Sequence, residues 1–137
     1  MGRSPTTGDL VTLGRDPAAQ EPERILLFFF QSSVVFMNAE YFLRRILVEL
    51  STRPTVQWLV LDCSAMTYAD SSAAEAFERL EDTLDRQGIS LLIGGGHGRF
   101  RTVLKRSGLG RRIGDNRIFN TPEKALAAAE RMRDFGS

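Results

Sequence analysis

The sequence predicts an α/β sandwich: a mixed β-sheet opened by a β-hairpin, with about four helices packed on it. Three observations carry this expectation. Short, almost wholly apolar runs recur at Ile25–Phe30, Val56–Leu61 and Ile89–Ile93, too brief for helices. Between them lie longer segments whose apolar residues return every three or four positions, the period of an amphipathic helix. Cap and turn residues stand at the junctions: Asn38, Pro54, Gly88, Gly94 to Gly98, and Thr121-Pro122.

Residues 1–9 are polar and read as an arm or linker, leaving 10–135 as a single domain. Leu10-Val11-Thr12-Leu13 reads as a short strand that runs into a Gly14–Pro17 turn, and Pro22 breaks the loop that follows. Ile25–Phe30 is apolar at every position, which suits a strand buried on both faces. Gln31-Ser32-Ser33 reads as a turn, and Val34–Met37 as a second strand joined to the first as a hairpin.

Asn38 is placed as the N-cap of a helix over Ala39–Ser51. Leu43, Ile46, Leu47 and Leu50 form its apolar stripe, with Arg44, Arg45 and Glu49 opposite. After the Val56–Leu61 strand, Asp62 to Ala69 forms a loop. Asp70 or Ser71 then caps a helix whose seam is Ala73, Phe77, Leu80 and Leu84 and whose end is marked by Gly88. Ile89–Ile93 is the next strand, and Gly94 to Gly98 a loop. Phe100, Val103 and Leu104 mark a short helix ending near Gly108. Arg117-Ile118-Phe119 is a short strand. Pro122 sits at the first position of the last helix, with Ala125, Leu126, Ala129 and Met132 on its apolar side.

Composition excludes several classes of function. A chain of 137 residues is one domain's length, with a sizeable core. Eighteen Lys and Arg against seventeen Asp and Glu leave no overall basic character, so nucleic acid is not an expected partner. The single cysteine, Cys63, rules out a disulfide framework and a multi-cysteine metal site. The single histidine, His97, rules out a His-rich zinc centre within one chain. Ile25–Phe30 falls far short of the roughly 20 apolar residues of a spanning helix, and the N-terminus lacks the apolar core of a signal peptide. The expected compartment is the cytosol, without membrane insertion.

Enzymatic chemistry has little to stand on. A Ser-His-Asp triad would need His97, and no G-x-S-x-G elbow precedes it. The loop Gly94-Gly95-Gly96-His97-Gly98 follows a strand and precedes a helix, as a phosphate-cradling loop does. It lacks the Lys-Ser/Thr of a P-loop and the frame of G-x-G-x-x-G, so a weak anion or nucleotide site stands beside the simpler reading of a tight turn. Asp62, Asp70 and Glu75 hint at an acidic metal site, against which Asp70 as a helix cap is the preferred reading. Cys63 has no basic neighbour in sequence and reads as a buried, inert thiol. No cofactor or metal is expected.

The informative stretch is Tyr68-Ala69-Asp70-Ser71-Ser72-Ala73-Ala74-Glu75-Ala76-Phe77, which places two hydroxyls in the first turn of a helix after a buried strand. From Val60 through Leu80 it resembles the signature of STAS domains, shared by anti-sigma-factor antagonists and the cytosolic tails of SulP anion transporters. Phe36-Met37-Asn38-Ala39-Glu40 is similar to the Phe-x-Asn-Ala-Glu segment of the SulP branch. Gly94 to Leu109 resembles the stretch through the third helix, and Ile118 to Leu126 the closing strand and helix. The resemblance covers about residues 25–132, and Leu13-Gly14-Arg15 looks like the segment after the last membrane helix of SulP proteins.

The resemblance implies a STAS-type fold and a switch and docking module, not an enzyme. In the antagonists a partner kinase phosphorylates the second hydroxyl after the Asp, which falls on Ser72, with Asp70 and Ser71 completing a regulatory turn. Ala73 stands where antagonists carry Gly, so Ser72 is read either as a phosphoacceptor or as part of the helix cap. Two functions follow. One is the cytosolic domain of a SulP-type sulfate or anion transporter, on the inner face of the membrane, whose partner is the transporter's membrane domain. The other is a free-standing antagonist whose partner is an anti-sigma factor kinase. The regulatory turn is expected to be exposed at one end of the sheet.

Overall fold

The computed structural model describes residues 22–35, 37–106 and 108–136. Among the described residues four strands form one sheet in the spatial order of the chain: β1 (Ile25–Phe29), β2 (Trp58–Asp62), β3 (Ser90–Gly94) and β4 (Ile118–Phe119). Every pairing is parallel; Ile25 stands beside Trp58, and Trp58 beside Ser90. Parallel neighbours need long crossovers, and helices provide them: α1 (Ala39–Ser51), α2 (Ser71–Arg86) and α3 (Gly98–Arg106) with the short α4 (Gly108–Ile113). The helix α5 (Pro122–Arg131) follows β4.

Strand periodicity assigns the helices to faces. Leu26, Phe28, Leu59, Leu61, Leu91 and Ile93 point to one side, where α1, α2 and α3 supply Phe42, Ile46, Phe77, Leu80 and Phe100. Ile25, Leu27, Trp58, Val60 and Leu92 point to the other, where the small side chains of α5 (Ala125, Ala128, Ala129) cover them. Both faces are covered, which is why the strands read as unbroken apolar runs. A chain of aromatic contacts ties the first layer together. Phe28 meets Phe42 at 6.5 Å between ring centroids, Phe42 meets Phe77 at 5.3 Å, and Phe77 meets Phe100 at 5.7 Å.

Among the described residues the opening hairpin is not present. Residues 31–35 are irregular, and the sheet is parallel throughout among the described residues rather than mixed. The strand expected at Leu10–Leu13, the turn after it and the arm at 1–9 lie outside the described residues, as does Phe36. Val34 is buried, which gave this loop the apolar look of a strand. The Asn38 side chain closes the loop instead. Its Oδ1 accepts from the Val35 N–H (2.8 Å), and its Nδ2 donates to the Ser33 carbonyl (2.9 Å). Asn38 therefore makes no side-chain cap to α1, although it stands at the N-cap position.

Two further expectations shift. On α1 the buried set is Phe42, Leu43, Ile46 and Leu50, while Leu47 is 38% exposed, so the buried stripe is turned toward Phe42. The helix expected to end near Gly108 is followed by α4. The seam of α2 is as read: Ala73, Phe77, Leu80 and Leu84 are all buried.

Candidate functional site

A parallel sheet gathers the carboxyl ends of its strands on one edge, and the loops leaving that edge carry the residues of interest. The loop after β2 is held from several sides. Cys63 N–H donates to the Gly94 carbonyl (2.8 Å) and Met66 N–H to the Cys63 carbonyl (2.9 Å). Ser33, from the loop after β1, accepts at its Oγ from the N–H groups of Thr67 and Tyr68, both at 3.2 Å. Met66 and Ala69 are buried and anchor the segment to the core. The start of α2 is thereby fixed before its first residue. Ser33 was not legible as a contributor, because its partners lie 34 and 35 residues away.

Asp70, not Ser71, is the cap. Its backbone is extended (φ −118°, ψ −174°), and its Oδ1 accepts from the Ala73 N–H at 2.9 Å. The carboxylate satisfies one of the free donors of the first turn and places negative charge at the positive end of the helix dipole. Ser71 is exposed and Ser72 half-buried. Ser72 borders a shallow groove of about 200 Å³ together with Ala39, Glu40, Glu75, Ala76 and Arg79. Across that groove Arg79 Nη1 pairs with Glu40 Oε1 at 2.7 Å, linking α2 to α1. A hydroxyl in the first turn of α2 thus faces two carboxylates and one guanidinium, the last already paired.

The glycine loop is built for close packing. A Cβ on Gly94 would lie 2.5 Å from the Cα of Pro122, and one on Gly96 would lie 2.5 Å from the Phe100 ring, with φ at +91°. Gly95 N–H donates to the Phe119 carbonyl (3.1 Å) and His97 N–H to the Met66 carbonyl (3.0 Å). Two of the loop's donors are therefore committed to the protein. Gly98, at φ +50°, begins α3. His97 is exposed, and among the described residues no serine hydroxyl or carboxylate hydrogen-bonds its ring.

The remaining candidates are kept apart. Asp62 is buried, and its Oδ1 accepts from the Ser64 N–H at 3.0 Å. Among the described residues no three His, Cys, Asp or Glu side chains gather where they would hold a metal ion, so Asp62, Asp70 and Glu75 do not form one site. Cys63 is fully buried; burial pushes its thiol well up, and the charge of Arg101 offsets this only in part. A thiol held protonated is a poor nucleophile.

No helix among the described residues is long and apolar enough to cross a membrane. The chain is similar to "High affinity sulfate transporter 2" of Stylosanthes hamata, with 29% identity over 136 residues, covering 93% of this chain and 20% of that protein. It is similar to a probable sulfate transporter of Mycobacterium tuberculosis, with 29% identity over 116 residues, covering 84% of this chain and 21% of that one. The chain thus spans about a fifth of the length of the curated relatives it matches.

Among solved structures the fold matches SLC26A9, with a TM-score of 0.79 at 17% identity, covering 98% of this chain and 24% of that one. It also matches the STAS domain of a SulP transporter from Vibrio cholerae, with a TM-score of 0.72 at 24% identity, covering 85% of this chain and 88% of that one. The family model for the STAS domain matches residues 16–125. With the Asp70-capped turn, the parallel sheet and this match in place, the chain belongs to the STAS domain family.

Proposed function

We propose that this chain works as a non-enzymatic regulatory and docking domain on the cytosolic side of a SulP-type sulfate or anion transporter, or is derived from one. The observation that carries this reading is the alignment of 93% of the chain with a sulfate transporter. In this reading the Asp70 carboxylate serves as a helix cap and Cys63 as part of the core. In this role the covered sheet is a rigid base, and the loops at its carboxyl edge, with the first turn of α2, form the regulatory face. The partner is the membrane domain of the carrier.

The test is a chimaera in which this chain replaces the STAS domain of the M. tuberculosis relative, with labelled sulfate uptake measured in vesicles. Uptake restored above that of the carrier lacking its STAS domain is expected. A chimaera that reaches the membrane with a folded domain, yet transports no better than the truncated carrier, would overturn the proposal.

A second reading keeps Ser72 as a phosphoacceptor in a free-standing anti-sigma-factor antagonist. Its specific support is the groove beside Arg79. A phosphate on Ser72 adds about −1.5 to −2 charge and three acceptor oxygens, and it would compete with Glu40 for the guanidinium. Partner affinity would then fall in Ser72→Glu. Equal affinity for the kinase in wild type and Ser72→Glu would leave Ser72 as a residue of the helix start only.

A further inference from the structure

We infer that the outer face of α3 is a docking surface for an acidic, helical segment of a protein partner. The inference rests on the docking-domain reading above and specifies one surface and the chemistry it recognises. Every ionisable residue of α3 is a cation (Arg99, Arg101, Lys105 and Arg106), and no Asp or Glu occurs between Gly98 and Gly114. In a chain of net charge +1 this is a local excess, offset elsewhere.

The helix period sorts these residues. Phe100 and Leu104 are buried in the core. Arg101 turns back toward the glycine loop, its guanidinium near the Gly95 carbonyl and Asn120. Arg99, Thr102, Val103 and Arg106, at i, i+3, i+4 and i+7, line an open groove of about 580 Å³ whose far wall is Ala74 of α2.

The charges in that groove are unanswered. Arg53, Arg79, Arg112 and Arg133 each pair with a carboxylate, whereas Arg99 and Arg106 pair with none among the described residues. Between them lie two apolar lining residues, Ala74 and Val103. Two guanidiniums seven residues apart are separated by about 10 Å along the helix axis. That spacing matches two carboxylates two turns apart on a partner helix, and a guanidinium accepts a carboxylate in paired hydrogen bonds. The residues between those carboxylates would rest on Ala74 and Val103. Two arginines at a fixed spacing with apolar side chains between them match a segment whose carboxylates are equally spaced. Ser71 lies three residues before Ala74, on the same side of α2, so a segment seated here runs alongside the first turn of α2.

The test uses the full chain and a labelled helical peptide with Glu at i and i+7 and Ala and Leu at i+3 and i+4. A peptide of the same composition with the glutamates respaced is the control, and binding is read by fluorescence anisotropy. Saturable binding that weakens with added salt is expected. It should fall by about tenfold or more, or about 1.4 kcal/mol, in the double variant R99E/R106E. Because both side chains face the groove, that variant should keep its circular dichroism and melting temperature. Arg44→Glu, on α1, should bind as wild type.

Equal binding by R99E/R106E, or by the respaced peptide, overturns the inference. So does complete displacement by inorganic sulfate at constant ionic strength, which would make the groove a small-anion site. Co-sedimentation with phosphatidylglycerol vesicles that needs Arg99 and Arg106, without peptide binding, would assign the face to lipid and also overturn it. The uptake chimaera separates the two proposals. If it transports while the peptide does not bind, only this surface is lost; if the peptide binds while the chimaera fails, only the transporter reading is lost.

Discussion

Asp70 and Ser72 stand two positions apart in one helical turn and answer to different neighbours. The Asp70 carboxylate holds the Ala73 N–H, so Asp70→Ala removes a cap and should cost about 0.5–2 kcal/mol, read as a lowered midpoint in thermal or urea unfolding. Asp70→Asn, which keeps an acceptor oxygen, should recover most of that loss. Ser72 borders the exposed Arg79–Glu40 pair, which is 60% and 72% solvent-exposed at its two side chains. Such a pair is worth about 0.2–1 kcal/mol in a double-mutant cycle. A carboxylate introduced by Ser72→Glu should compete for Arg79, so the Arg79–Glu40 coupling should shrink toward zero in that background; an unchanged coupling would place the new charge outside the groove. Glycines separate in the same way by what surrounds them. Gly94→Ala drives a Cβ into the Pro122 backbone and should cost about 1–3 kcal/mol or more. Gly88 has a φ of +73° with open space around it, so Gly88→Ala should cost only the left-handed strain, about 1–2 kcal/mol. A smaller loss at Gly94 than at Gly88 would contradict the packing account of the glycine loop.

At the scale of the element, α2 carries both the candidate regulatory turn and a buried carboxyl. Glu81 is buried on it, and its Oε1 has no hydrogen-bond partner. Burial raises its pKa above the ordinary value of 4.5, an effect that Arg112 and Arg117 only partly offset. The folded state therefore holds this proton at pH values where the unfolded chain has released it. Stability contributed by the neutral form is lost as pH rises from 4.5 through the raised value. Glu81→Gln should thus gain stability relative to wild type at neutral pH, with the difference narrowing as pH falls toward 4.5, in melting curves taken across that range. A constant difference at all pH values would contradict the assignment. The helices α1, α3 and α5 were legible as elements too, apart from the turned stripe of α1, whereas α4 was not. There Leu43, Ile46 and Leu47 suggested the buried face, and Phe42 displaced Leu47 from it because an aromatic side chain reaches Phe28 and Phe77.

Across the whole molecule, Phe77 is the residue through which α1, α2 and α3 share one core, touching Phe42 on one side and Phe100 on the other. Phe77→Ala should cost about 3–5 kcal/mol in denaturant unfolding, shifting the midpoint without removing the transition. A loss below about 1 kcal/mol would mean that the three helices do not depend on a shared aromatic layer. The two sides of the sheet differ in kind. The α1–α3 side is filled by large aromatics, while α5 presents alanines and lies over Ile25, Leu27 and Val60. The candidate regulatory turn, the glycine loop and the start of α3 all lie on the carboxyl edge of this sandwich.

The strands β1 to β4, the helices α1, α2, α3 and α5, and a cap at Asp70 or Ser71 were legible in the sequence alone, because each is encoded within a few residues. Apolar runs of five or six positions, three-to-four-residue periods such as Ala73, Phe77, Leu80 and Leu84, and a short polar side chain ahead of a helix all act locally. Only the tertiary structure decided the rest. Val34 and Val35 carry the composition of a strand, yet Asn38 and Ser33 take up the local hydrogen bonds and leave a loop. The pairing of Arg79 with Glu40 spans 39 residues, and Ser33, from the loop that precedes α1, holds the backbone before α2. Which arginines are paired among the described residues and which are not, Arg79 against Arg99 and Arg106, is a property of helix neighbours. No local pattern carries it, because charge pairing across elements depends on how the sheet brings distant helices together.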